Sequence, residues 1–201
     1  VPAGHYFEAD PAAVSRRRRI DLVLPDTTVT LAVDRGVFSA TRIDPGTLAL
    51  LRAVPTPTGG GRLLDLGCGY GPIACTLARR DPAAEVWAVD VNRRALDLAE
   101  DNARALGLGN LRAAEPDDVP PGVTFDEVWS NPPIRIGKPA LHELLGSWLP
   151  RLRPEGRAAL VVHRHLGADS LAAWLESWGW GVRRVGSKQG YRILDVRRRS
   201  A

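Results

Sequence analysis

Apolar residues recur along this chain with two periods, and from Arg62 onward the period switches back and forth. Short apolar runs at Leu63 to Leu66, Glu85 to Val89, Leu111 to Ala114, Phe125 to Trp129 and Ala158 to Val162 read as sheet strands. Between them, Ile73 to Arg80 and Arg93 to Leu106 read as helices. Downstream, Leu141, Leu144, Leu145, Trp148, Leu149 and Leu152 form a stripe at helical spacing, and Leu171, Trp174, Leu175 and Trp178 mark another helix face. Val182 to Val185 and Arg192 to Val196 lie close enough to pair as antiparallel strands. Alternation of this kind predicts an α/β fold, a mostly parallel sheet with helices on both faces. Ligands in such sheets bind at the carboxyl ends of the strands, which sets Gly67, Asp90, Glu115 and Asn131 along one edge.

The first sixty or so residues have a different pattern. Ile20 to Leu24 and Val29 to Val33 read as a hairpin around Pro25-Asp26. Asp44-Pro45-Gly46-Thr47 is a helix start, with Asp44 as the N-cap and Pro45 in the first turn. Pro55 to Gly61 reads as a linker-like loop. The expected organisation is one domain over residues 1–201, with 1–58 as an N-terminal segment and 59–201 as the core.

Composition narrows the class. With 44% hydrophobic and 25% charged residues the chain is an ordinary globular one. No apolar run approaches a membrane span and no leader pattern is present, so the expected location is the cytoplasm with no membrane partner. The net charge of +4 is carried almost wholly by arginine, since Lys138 and Lys188 are the only lysines. The runs Arg16 to Arg19 and Arg197 to Arg199 suit either phosphate binding or a solvated surface. Cys68 and Cys75 show no disulfide or zinc pattern, and His142, His163 and His165 lack ligand spacing, so no metal is expected.

Two segments carry chemistry. Asp65-Leu66-Gly67-Cys68-Gly69-Tyr70-Gly71-Pro72 follows a strand and gives G-x-G-x-G rather than the G-x-G-x-x-G of dinucleotide enzymes. Glycines there let a backbone approach a ligand closely. Asp90 ends the next strand, where a carboxylate can accept both ribose hydroxyls of an adenosine. The spacing therefore implies an adenosine cofactor without saying which. The second segment is Ser130-Asn131-Pro132-Pro133-Ile134. Asn131 offers a side-chain oxygen and Pro132 a main-chain carbonyl, both stiffened by the prolines, as two acceptors for a planar amine.

In this order the two segments resemble the class I S-adenosylmethionine-dependent methyltransferases that act on exocyclic nitrogen. The resemblance implies a Rossmann-like sheet of seven strands and S-adenosyl-L-methionine as cofactor. It implies that Asp65, Gly67 and Gly69 line the methionine and ribose, that Asp90 holds the ribose, that Cys68 and Val91 also contact the cofactor, and that Glu115 meets the adenine amine. Asn131 and Pro132 would be catalytic, Asn131 also bordering the cofactor, and Pro133, Ile134 and Arg135 would meet the substrate. His5-Tyr6-Phe7, Gly36-Val37-Phe38-Ser39, Ile43 to Thr47, Asn131 to Lys138 and Lys188 to Leu194 are similar to the small-domain family of 16S rRNA guanine-N(2) methyltransferases, whose leading segment folds over the cofactor pocket. That likeness implies ribosomal RNA or the small ribosomal subunit as partner. Two departures stand out: Ile134 occupies a place where bacterial members with guanine activity usually carry an aromatic, and no second copy of the domain is seen. Methylation of a small molecule or of protein glutamine, and a non-catalytic cofactor- or RNA-binding module, are the alternatives.

Overall fold

A computed structural model describes residues 17–34, 41–56 and 58–199. His5-Tyr6-Phe7, Arg16 and Gly36-Val37-Phe38-Ser39 lie outside the described residues. The chain opens with a hairpin, β1 (Arg18–Val23) paired antiparallel with β2 (Thr28–Val33), and continues into helix α1 (Pro45–Ala53). Then come β3 (Gly61–Leu66), α2 (Pro72–Arg80), β4 (Ala84–Val89), α3 (Arg93–Ala105), β5 (Leu111–Ala114) and β6 (Phe125–Ser130). Helix α4 (Lys138–Trp148), β7 (Leu152–His163), α5 (Ala168–Ser177), β8 (Trp180–Lys188) and β9 (Tyr191–Arg198) complete it.

The last seven strands form one sheet in the order β5-β4-β3-β6-β7-β9-β8. Strands β3 to β7 pair in parallel, while β9 is antiparallel to both β7 and β8. The sheet is buried on both faces, so successive side chains feed two separate cores. Leu63, Val86, Ala88, Trp129 and Val161 face one core, shared with the hairpin and helices α1 to α3. Leu64, Trp87, Val89, Val128 and Leu160 face the other, under α4 and α5.

Two elements differ from their predicted extents. The apolar stripe from Leu141 does not continue as helix to Leu152: α4 ends at Trp148, Leu149 lies in a 3-10 turn with Pro150, and Leu152 opens β7. Proline removes a backbone donor, and the two final leucines are buried from non-helical positions instead. The terminal hairpin is also longer than its apolar cores, because β8 and β9 extend to a two-residue turn at Gln189 (φ 50°) and Gly190 (φ 83°), a pair of positive φ values that suits the twist of a tight hairpin.

The N-terminal segment packs as part of this body. Helix α1 lies against β7, β8 and β9, completing the cover of a sheet face whose other half is covered by α2 and α3. The hairpin sits on α2 and α3. There Asn102 accepts the Ala32 amide (2.7 Å) and donates to the Ala32 and Tyr70 carbonyls (3.0 and 2.9 Å). Arg94–Asp34 and Arg80–Asp26 ion pairs flank it. Leu50, completely buried, is the centre of the α1 contact. Leu50→Ala is expected to lower unfolding free energy by about 2–5 kcal/mol while keeping one cooperative transition. Urea unfolding followed by tryptophan fluorescence checks this; a change below about 1 kcal/mol would mean that α1 is not integral to the core.

Candidate active site

Parallel pairing of β3 with β6 brings the two sequence motifs to the same sheet edge. Asp65 is level with Trp129, and Ser130 Oγ donates to the Leu66 carbonyl at 2.6 Å, so the chain leaves both strands side by side. A Cβ built on Gly67 would lie 3.7 Å from Pro133 Cδ, which places the glycine turn in contact with the proline turn.

The glycine turn is shaped from below. Gly67, Gly69 and Gly71 all have positive φ (74°, 55° and 84°), and a Cβ on Gly69 would meet nothing within 4 Å among the described residues. The Gly67 and Cys68 amides both donate to the Val89 carbonyl. Helix α2 starts at Gly71 without a side-chain cap of its own. Asp65 supplies one instead, its Oδ2 accepting the Ala74 amide at 2.9 Å in the first turn of the helix. Asp65 is fully buried, and its Oδ1 has no partner. Burial raises its pKa from 3.8 to about 8, against the lowering effect of the Ala74 bond, with Asp90 adding to the rise. Asp65 thus supports the turn from inside and does not form an exposed wall. Cys68 also turns its side chain inward; burial, then the neighbouring carboxylates of Asp65 and Asp90, push its thiol pKa well up, so it is a poor nucleophile.

Asp90 is half-buried at the end of β4. Its Oδ2 accepts the Gly69 amide (2.8 Å) and its Oδ1 the Asn92 amide (2.9 Å). Burial raises its pKa despite these bonds. Each oxygen keeps acceptor capacity. Val91 beside it is 51% exposed, an apolar surface next to a carboxylate at the sheet edge. Glu115 follows β5, with its side chain 3.7 Å from Arg93. An open glycine backbone, a carboxylate with lone pairs to spare, an exposed valine and a buried carboxylate oxygen lacking a donor together fit a nucleoside cofactor bearing a cationic tail.

Asn131 is held from the N-terminal segment. Its Nδ2 donates to Asp44 Oδ1 (2.7 Å) and Thr47 Oγ1 (3.2 Å), at the first turn of α1. Pro133, with φ −74° and ψ 72°, is the centre of an inverse γ-turn in which the Ile134 amide donates to the Pro132 carbonyl at 2.8 Å. That bond holds the Pro132 carbonyl in place while leaving it a second lone pair. Ile134 and Ile136 pack half-buried against the α4–α5 core, and Arg135 between them is exposed. Tyr191, at the start of β9, closes the other side: a Cβ on Gly46 would come within 2.7 Å of its ring. Burial and the charge of Asp44 push up the Tyr70 hydroxyl, and the same two causes act on Tyr191.

The carboxyl ends of β3, β4, β5 and β6 bring Gly67, Gly69, Asp90, Val91, Glu115 and the segment Asn131 to Arg135 to one sheet edge, whereas Asp65 lies buried beneath the glycine turn and Cys68 offers only its backbone there. What sequence reasoning missed is the participation of Asp44, Thr47 and Tyr191. Asp44 reads as a helix cap, which it is, since it accepts the Gly46 and Thr47 amides at 2.8 and 3.0 Å; nothing in local spacing announces a partner 87 residues away. Part of each arginine run is engaged within the fold. Arg17 pairs with Asp101, Arg197 with Asp195, and Arg198 donates to the Pro150 and Leu152 carbonyls while lying over Trp180. His142 stacks on Trp174, and His163 meets Tyr191 edge-on. Among the described residues no helix is long and apolar enough to cross a membrane, and no group of His, Cys, Asp and Glu could hold a metal ion.

Comparison with known proteins agrees with this architecture. The family described as the methyltransferase small domain matches residues 28–195. A Bacillus subtilis (strain 168) relative, "Uncharacterized protein YbxB", is 32% identical over 96% of this chain and 98% of its own length. "Ribosomal RNA small subunit methyltransferase C" of Hahella chejuensis is 36% identical over 84% of this chain. Among solved structures, the T. thermophilus 16S rRNA N2 G1207 methyltransferase (RsmC) in complex with AdoMet and guanosine superposes with a TM-score of 0.79 at 27% identity, covering 94% of this chain. The chain spans about half the length of those two ribosomal RNA enzymes, 49% and 52%. The sheet order, the glycine turn on β3 and the family match lead to one conclusion: the chain belongs to the methyltransferase small domain family and is an S-adenosylmethionine-dependent methyltransferase.

Proposed function

We propose that this enzyme methylates an exocyclic amine of a guanine in ribosomal RNA. The observation that carries the reading is the pair of stiffened acceptors, Asn131 and the Pro132 carbonyl, beside the glycine turn. Likeness to relatives named as ribosomal RNA methyltransferases, one of them solved with guanosine bound, supplies the substrate class. The hairpin and α1 act with the Rossmann-like core as one methyltransferase domain.

In this reading Gly67, Cys68 and Gly69 offer backbone to the methionine and ribose, Asp90 accepts the ribose hydroxyls, Val91 backs the base and Glu115 meets the adenine amine. S-adenosylmethionine supplies a methyl group made transferable by its cationic sulfonium. Asn131 Oδ1 and the Pro132 carbonyl accept the two N–H bonds of the target amine. Its lone pair, otherwise spread into the ring, is thereby directed at the methyl carbon. With the cofactor held by Gly67, Gly69 and Asp90, these two acceptors would keep the nitrogen in line with the methyl through transfer, and the proton the nitrogen sheds would pass to water. Positioning carries the rate, so no lysine or histidine base is needed. Pro133 and Ile134 border the amine, and Arg135 faces the RNA backbone.

One observation favours methylation of a protein glutamine or a small molecule instead: Ile134 provides no ring on which a base could stack. Salt separates the two. Binding of unmodified 16S ribosomal RNA is expected to weaken steeply with added salt through phosphate contacts, with Arg135→Ala reducing the slope by about one. A flat salt response would transfer the assignment to the second reading.

Asn131→Ala is expected to lower kcat and kcat/KM together by about a hundredfold or more, with little change in cofactor affinity. Normal turnover of this variant would reject the amine-holding mechanism. Asp90→Ala is expected to lose most affinity for S-adenosylmethionine by titration calorimetry, and unchanged affinity would remove Asp90 from the site.

Asp65 links the site to pH. With its folded pKa near 8, against about 3.9 unfolded, its contribution to stability is complete below about pH 4 and is lost as pH rises through about 8. Stability of the cofactor-free protein should therefore fall over that window, by up to about 1.4 kcal/mol per unit, and Asp65→Asn should remove this slope. Because a cation near Asp65 favours its ionised form, S-adenosylmethionine uptake near pH 7 should release a proton, seen as a buffer-dependent binding enthalpy in the native protein and absent in Asp65→Asn.

A further inference from the structure

Asn131 has a neighbour that none of the roles above uses. Its amide nitrogen has two hydrogens, and both have acceptors in the first turn of α1, Asp44 Oδ1 at 2.7 Å and Thr47 Oγ1 at 3.2 Å. The opposite orientation would set the amide oxygen against a carboxylate oxygen, so the chemistry of the partners decides which way the group faces. With the nitrogen committed to α1, Oδ1 is turned away from the helix. Asp44 is itself immobilised, because the same Oδ1 accepts the Gly46 and Thr47 amides at 2.8 and 3.0 Å. Thr47 is buried.

We propose that Asp44, assisted by Thr47, is a positioning residue that orients the amide of Asn131 and requires an amide, not a carboxylate, at position 131. The inference rests on reading Asn131 as the residue that accepts the target amine. Asp in place of Asn131 would keep an acceptor. Against Asp44 it sets carboxyl against carboxyl at hydrogen-bond distance, so one must take up a proton or swing out of place. The N-terminal segment thereby sets the chemical identity of a side chain in the core motif.

A double-mutant cycle tests this with two readouts. Asn131→Asp alone should lower both the melting temperature and turnover on unmodified 16S ribosomal RNA, the latter about a hundredfold. Asp44→Ser keeps a good helix cap but is too short to reach residue 131. Alone it should unfold close to the native temperature yet lose about tenfold in kcat with KM little changed, and in an Asn131→Ala background it should cost nothing further. In the Asn131→Asp background the same change removes the opposed carboxylate and should restore the melting temperature. Effects that simply add, or a double variant that recovers no stability, would overturn the inference. The melting-temperature arm needs no substrate. If the double variant recovers stability while Asn131→Ala turns over normally, the pairing stands but its catalytic purpose fails, along with the reading of Asn131 as the amine acceptor.

Discussion

The parallel pairing of β3 with β6 is the constraint on which the rest of this molecule depends. These strands are neighbours in the sheet, although two strands, β4 and β5, and two helices, α2 and α3, intervene in the chain. Parallel strands aligned at one edge must both release their chains there, and the Ser130–Leu66 hydrogen bond closes the pair at its last rung. A shift of one residue would exchange Leu64 and Asp65 between the two cores, putting a carboxylate where Trp87 and Val128 now pack. Burial on both faces therefore specifies the register, and the register brings the glycine turn against Pro133. The site follows from packing requirements several residues away from it.

Against that apolar background Asp65 is a local conflict. A fully buried carboxylate with one oxygen unpartnered is unfavourable to folding, and an asparagine or serine could cap α2 almost as well. Sites where sequence logic breaks a packing rule tend to be sites where a ligand restores it. Asp90 belongs to the same logic in milder form, half-buried yet fully bonded to backbone amides. The two carboxylates differ in what they lack: one needs a donor, the other only has room for more.

Much of this was legible from residues alone, and the reasons are specific. Leu63 to Leu66 and Phe125 to Trp129 are short, largely apolar and followed by Gly or Asn-Pro-Pro turns, which suits strands, and Asp44-Pro45 suits a helix start. The misreadings also have causes. The stripe through Leu149 and Leu152 keeps helical spacing past a proline, because both leucines face the same core from a turn and a strand. The arginine run at Arg197 to Arg199, open in sequence to phosphate binding or to a solvated surface, has contacts that sequence cannot reveal: Asp195, Trp180 and two backbone carbonyls engage Arg197 and Arg198. The inward turn of Cys68 depends on a carbonyl of another strand. The Asp44–Asn131 contact spans 87 positions, far beyond any local pattern.

The placement of α1 has a consequence in time. This helix is made before the whole of the sheet, yet it packs on β7, β8 and β9, the last strands of the sheet to be synthesised. Until those strands emerge, its apolar face has no sheet to cover, and Tyr191 cannot close over Gly46. Contacts of such long sequence separation form late and slowly. A growing chain that has already displayed its glycine turn thus still lacks the finished surroundings of Asn131. The surroundings of Asn131 are complete only when α1 meets β7, β8 and β9, so a chain interrupted before those strands retains recognisable motifs without an assembled site.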